Sequence, residues 1–477
     1  MVTKVAKYGI AILAYSNLFS FDLSYLRPLL SFIVPNSYIS YRNIISIAWP
    51  IMLGSLGQNI IFLVDTSFLG RVSEADLGAS AVGGIYYFLL FMIGYAMNIG
   101  MQIMVARKKG EGNTITIGEV VDHQLILIIL LGILCFFIMH FGSGAMLQYV
   151  IESENIRSKT LYFLHYRSYG ILFGLLNSCF MSFFIGIGNT RVTLWTTGIM
   201  VAVNVFFLYC LVFGNLGFPQ MGVGGAGLAS SIAEAVVTLV FIIFLFVRRF
   251  RKDYKLFEFV KVRWHLMGSM LKLSSPLMLQ QVISVGAWWL FFICIEHLGE
   301  RPLAISNLLR SLYAFYGIPI WALASATNSM TSNLMGQGHP EQVISLVKKV
   351  SVISIGFSIV FAAFLNFFPV EAFSVYTNEK DLILESIPSV RSLTLAIMFF
   401  SFSILTIFAV SGTGATNVSL LIEVIAIVIY IIYTVIATVI FEWSLPAIWL
   451  VESVYWFSTF IMCAWYLKYG KWRLKTL

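Results

Sequence analysis

From Ile44 onward the chain alternates long apolar runs with short polar segments. Each run is long enough to cross a bilayer as a helix, which takes roughly 20 residues. The runs lie at about 44–70, 77–106, 121–147, 161–187, 192–214 and 222–247, then 268–298, 303–335, 350–369, 388–411, 418–441 and 446–467. They predict an all-α polytopic membrane protein of twelve transmembrane helices. The runs are apolar on all sides, as helices surrounded by lipid and protein are, so periodicity within them adds little. Residues 1–41 do not follow the pattern. The stretch Ile10 to Phe21 is too short to span, and no small-residue cleavage site follows it. It reads as an N-terminal extension, cytoplasmic or surface-associated, or as the product of an upstream start codon.

The polar segments alternate in charge. Every second one is basic: Arg107 to Lys109, Arg191, the stretch from Arg248 to Arg263, Lys348 with Lys349, and Lys468 to Lys475. The opposite set carries Glu74, Asp76, Glu152, Glu154, Glu379, Asp381 and Glu442. By the positive-inside rule both termini are expected in the cytoplasm, with the protein in the cell membrane. Only 11% of the 477 residues are charged and 59% are hydrophobic, which excludes a soluble globular domain. A net charge of +8 would ordinarily raise the question of nucleic acid. Here the basic residues sit between spans and set topology, so no nucleic-acid partner is expected. Cysteines 135, 179, 210, 294 and 463 lie singly inside apolar runs and read as small core residues, not disulfides or metal ligands.

The chain repeats itself. Trp49-Pro50-Ile51-Met52-Leu53 matches Ser275-Pro276-Leu277-Met278-Leu279, 226 residues on. Gly110-x-Gly112 matches Gly336-x-Gly338, and Gly188-Asn189-Thr190-Arg191 matches Gly414-Ala415-Thr416-Asn417, at that same separation. Each half has an even number of spans, so the halves are parallel repeats about an axis along the membrane normal, an arrangement typical of transporters that rock two lobes around a central site. The expected organisation is an N-lobe at 42–247, a basic cytoplasmic linker at 248–266, a C-lobe at 267–468 and a tail at 469–477, with a central cavity between the lobes.

A few polar residues interrupt the apolar runs. Asp65 stands near the far end of the first span, where a carboxylate is costly and is a functional-site candidate by default; the plainer alternative is a surface Asp capping the turn at Thr66. Gln58, Gln102, Gln281, Arg310 and Asn328 are candidates for a substrate cavity, with hydrogen bonding between helices the plainer reading. Asn328 is the repeat equivalent of Gln102. Arg310, a permanent cation, needs a partner or water. Trp288 and Trp289 lie in the middle of span seven, and only one of two adjacent residues can face a cavity. Glu423 and Glu452 are candidate acids of the second half.

These pieces together resemble the multidrug and toxic compound extrusion (MATE) transporters over about residues 42–468. The resemblance is carried by WPIMLGSLGQNIIFLVDTSFLGRVSEADLGA, FFIGIGNTRVTL, VNVFFLYCLVFG, MGVGGAGLASSIAE, SSPLMLQQ and NLMGQGHPEQV. It implies a secondary antiporter, with no cofactor, that exports amphiphilic and often cationic organic compounds as H+ or Na+ flows inward. Asp65 matches the family's coupling Asp. Asn204 matches a span-five Asn and Ser230 a span-six hydroxyl of members with a sodium site, whereas their second Asp is Leu208 here. Glu234, four residues after Ser230 and on its face, is the candidate to compensate; a buried neutral Glu hydrogen-bonded to a neighbouring helix is the alternative. A span-seven Glu of other members is Ser284 here, which argues against a second-lobe site. Desolvation favours the neutral form of a carboxylic acid, so protonation of a lone Asp65 is the more economical coupling; a transported Na+ at Asp65 and Asn204 is the alternative.

Two other readings compete. A lipid-linked oligosaccharide flippase has a similar two-lobed shape but would need a strongly cationic cavity, for which Arg310, Arg167 and Arg391 are thin provision. A membrane-embedded transferase would need clustered His, Asp or Cys, and Asp122-His123 and His165 with Arg167 show no metal-ligand spacing. The expected partners are small organic cations or amphiphiles and the lipid bilayer, with the chain acting as a monomer.

Overall fold

A backbone inside a bilayer must satisfy its own N–H and C=O groups, which leaves helices and closed barrels as spanning structures. The computed structural model describes residues 39–259 and 261–475. The expected extension 1–41 therefore lies outside the described residues except at its end. Met1–Ile44 is a unit of its own, in which the Asn43 amide donates to Ser40 Oγ (3.1 Å). The second unit, Ile45–Leu477, holds the membrane-spanning body.

The long helices are α1 (Tyr41–Leu69), α2 (Glu74–Gly110), α3 (Thr114–Phe137, continued by a π-helical turn to Leu147), α4 (Glu154–Gly186), α5 (Arg191–Phe213) and α6 (Gly222–Val247). Then come α7 (Trp264–Glu296), α8 (Glu300–Gly336), α9 (Val343–Phe367), α10 (Lys380–Gly412), α11 (Thr416–Val435) and α12 (Leu445–Tyr469). Most extend a turn or two past the apolar runs, because helix ends beyond the hydrocarbon tolerate polar residues. Several begin on side-chain caps: Ser73 Oγ accepts from Asp76 N (3.0 Å), and Asn113 Oδ1 from Thr116 N (3.2 Å).

Among the described residues eleven helices are long and apolar enough to span by composition. The expected twelfth, α8, fails on hydropathy and not on length. Its last four turns or so, from Ala322 to Met335, are almost entirely buried in protein, so polar residues there meet other helices and not lipid.

The two halves share their turns in detail. Gly112 and Gly338 have φ of 72° and 77°, and Gly188 and Gly414 have 78° and 87°. This left-handed conformation suits glycine, which explains why these residues recur in register. Pro50 and Pro276 likewise sit inside α1 and α7.

Every described hydrogen bond between α1–α6 and the segment from α7 to the tail lies toward the end bearing the basic loops. Gln102 Nε2 donates to Asn328 Oδ1 (3.2 Å), Ser329 Oγ to Ile185 O (2.9 Å), Ser332 Oγ to Ile103 O (2.6 Å) and Asn333 Nδ2 to Ala106 O (3.2 Å). Backbones touch there: a Cβ on Gly110 would stand 2.2 Å from Asn333 O, and one on Gly336 2.1 Å from Arg107 O. The molecule is closed at its basic end.

The linker is tied to α3. Asp122 accepts from the amides of Phe257 (2.7 Å) and Phe259 (3.1 Å), and His123 Nε2 from that of Arg263 (2.8 Å). The Asp122-His123 pair therefore anchors the linker backbone. The five cysteines are all free, and four are buried.

Candidate functional site

Helices α1, α5 and α6 bring Asp65, Asn204 and Ser230 together in the half of the molecule away from the closed end. Asn204, 1% exposed, donates through Nδ2 to Ser230 Oγ (3.1 Å), which leaves its carbonyl free. The Asp65 carboxyl has Asn204 as its side-chain neighbour and the Arg167 cation in its field. Asp65 Oδ1 and Asn204 Oδ1 are both buried, and neither has a hydrogen-bond partner in the protein. Two orphan acceptors on side chains that neighbour each other call for a proton or a cation. Leu208, one turn beyond Asn204, is fully buried and adds no ligand.

Behind this lies an ion pair that the sequence did not single out. Arg167 of α4 meets Glu234 of α6 in a fork, with Nη2–Oε1 at 2.6 Å and Nη1–Oε2 at 2.8 Å. Tyr87 of α2 donates to Glu234 Oε1 (2.8 Å), and its ring lies 3.6 Å below the guanidinium. Glycines make the room: a Cβ on Gly170 would stand 2.4 Å from Arg167 Nη1, and one on Gly174 2.6 Å from Tyr87 OH. Both Glu234 oxygens are thus committed. The Glu234 charge is therefore paired with Arg167, whereas the sequence reading sets a replacement for the carboxylate missing at Leu208 against a neutral, hydrogen-bonded Glu. The available signal was Arg167 itself, a cation deep in an apolar run that needed an acid.

The cavity candidates disperse. Gln102 and Asn328 are buried and bonded to each other, so in this structure they join the repeats. Gln58 is exposed, and Gln281 is half-buried. Arg310 is exposed, its guanidinium 5.3 Å from the Phe292 ring. Trp288 turns inward and donates to Glu452 Oε1 (3.3 Å), while Trp289 is 70% exposed.

The second half holds acids of another kind. Glu423 of α11, 3% exposed, accepts from Ser284 Oγ (2.6 Å), Gln280 Nε2 (3.4 Å) and Tyr455 OH. Glu452 accepts from Trp288 and from Tyr430 OH (3.1 Å). Among the described residues no Lys, Arg or His pairs with either. Ser284 had argued against an acid at this place in the second half; in space Glu423 supplies one from another helix. No described group of three or more His, Cys, Asp or Glu is arranged to hold a metal.

Comparison with known proteins agrees with the internal repeat. The MatE family model matches the chain twice, over residues 50–210 and again over 276–436, the separation found between the two prolines. A probable multidrug resistance protein NorM of Pasteurella multocida is 24% identical over 72% of this chain and 75% of its own length. Its namesake in Thermotoga maritima is 21% identical over 81% and 83%. An outward-facing structure of a multidrug resistance MATE family transporter of the MOP superfamily superposes with a TM-score of 0.83 at 18% identity, over 91% of this chain and 96% of that one. Twelve long helices in two halves, repeated turns and a doubly matched family model lead to one assignment: this multi-pass membrane protein belongs to the MatE family.

Proposed function

We propose that the protein is a secondary antiporter of the cell membrane that exports amphiphilic, often cationic, organic compounds; its relatives are named probable multidrug resistance proteins. Coupling is by inward flow of H+ at Asp65. The observation that carries the reading is the pair of buried orphan acceptors, Asp65 Oδ1 and Asn204 Oδ1. Protonated Asp65 donates to Asn204, quenching both orphan acceptors and the carboxylate charge together. Deprotonated Asp65 leaves a charge that attracts the next proton or repels the closed, desolvated state. Alternation between these forms supplies a differential free energy for reorienting the lobes, without which no ligand shifts a conformational equilibrium. Both termini face the cytoplasm, and the chain acts as a monomer. Closure at the basic end then makes this the outward-facing state.

Sodium is the second reading, favoured by the oxygen set of Asp65, Asn204 and Ser230 but limited to one free carboxylate. Dye efflux in proteoliposomes, driven separately by a pH and by a sodium gradient, decides. The expected result is transport on the pH gradient alone, abolished in Asp65→Asn. Drive by sodium alone would replace the proton, and full activity of Asp65→Asn would remove the site from the mechanism.

A further inference from the structure

At the basic end, away from Asp65, a cavity of about 460 Å³ opens between the repeats and the C-terminal tail. It is lined by Arg107, Glu111, Gly338, Pro340, Arg473 and Lys475, among others. Arg107, one of the lining residues, is only 3% exposed. The Arg107 guanidinium donates through Nη1 to Lys475 O (3.0 Å) and through Nη2 to Thr413 O (2.8 Å). Both acceptors are neutral carbonyls, and Arg107 Nε is buried with no hydrogen-bond partner.

The surroundings are cationic. Glu111, the acid among these residues, is engaged by Lys108 at 3.0 Å. Burial, with the Arg107 and Lys272 cations nearby, pushes the Lys475 ammonium below its ordinary value. Among the described residues positive groups therefore outnumber acids around this cavity, Glu111 being shared between Lys108 and Arg107, and the Arg107 guanidinium in its lining keeps an unused N–H. Arginine and lysine together in such a setting match the oxygens of phosphate, which accepts several charge-assisted bonds at once.

We propose that this cavity binds a phosphate-bearing anion and that the anion clasps the two repeats and the tail at the basic end. Arg107 belongs to α2, Thr413 follows α10, and Lys475 lies in the tail. Opening the molecule at this end separates these groups, so an anion held between them favours the closed state. A lipid headgroup and soluble phosphate offer the same chemistry.

The test uses the purified full-length chain in nanodiscs and reads its thermal midpoint. In phosphatidylcholine discs inorganic phosphate is titrated against chloride at fixed ionic strength; separate discs contain phosphatidylglycerol. The comparison is Arg473→Gln/Lys475→Gln, which keeps the Lys475 carbonyl that Arg107 uses, with Lys475→Gln alone as the milder variant. Stabilisation by phosphate beyond chloride supports a soluble anion, and stabilisation by phosphatidylglycerol alone supports a headgroup. In either case the variants should need roughly tenfold more ligand, the loss expected for one charge-assisted bond. No effect of either source overturns the proposal, as does an effect that chloride reproduces or that the variants retain in full. Because binding is read and not export, failure here leaves the antiporter reading standing, and failure of export leaves this one.

Discussion

Glu234→Gln separates a structural acid from an ion ligand. The wild-type fork holds two contacts of 2.6 and 2.8 Å, with the Arg167 and Glu234 side chains only 11% and 13% exposed. Removing one partner of a buried pair costs about 3–5 kcal/mol, because the survivor stays as an uncompensated charge. The Tyr87 ring lies under Arg167 in wild type and variant alike and offsets none of this, so a loss of about 3–5 kcal/mol is expected. In a chain of this size that is a fall of roughly 5 °C or more in the thermal midpoint, read by fluorescence-detected size exclusion after heating. Arg167→Gln should fall similarly, whereas the double variant, with both charges gone, should recover more than half the loss. Glu234→Gln should also leave Arg167 free to act on Asp65, so its residual export should respond differently to pH than that of the double variant. A Glu234→Gln protein that melts like wild type yet loses gradient-driven export would refute the argument and return Glu234 to the coupling site.

Closure and the repeat interface give two further tests. Gly336→Ala would place a Cβ 2.1 Å from the Arg107 carbonyl, a backbone atom with little room to yield; overpacking of about 1–3 kcal/mol against the closed state should follow. Cysteine labelling at the basic end should then become faster, and an unchanged rate would show that the two backbones can separate without opening the molecule. Gln102→Leu strips Asn328 of a buried partner and should cost about 1 kcal/mol; the double variant with Asn328→Leu should cost less than the sum of the two single losses, and simple additivity would mean that the observed bond contributes nothing.

Much of this protein follows from composition and order along the chain. Lipid forces helices, so the positions of α1 to α12 are legible in hydropathy, and Gly112 with Gly338 betrays the repeat because a left-handed turn accepts few other residues. Asp65 is legible for the same reason: a charge in an apolar run is too costly to be idle. Partnership is not legible, because it depends on which faces of separate helices meet. Arg167 and Glu234 are 67 residues apart, Glu423 and Ser284 are 139 apart, and nothing local distinguishes the Glu that is neutralised by arginine from the two that meet only neutral donors. The same limit hid the role of Gln102 and Asn328, whose equivalent depth was visible but whose mutual bond was not. Sequence by itself determined the spans, the repeat and the acids at risk; the tertiary structure decided which charges cancel, since electrostatic energy in a membrane is fixed by distances of a few ångströms across helices and not by spacing along them.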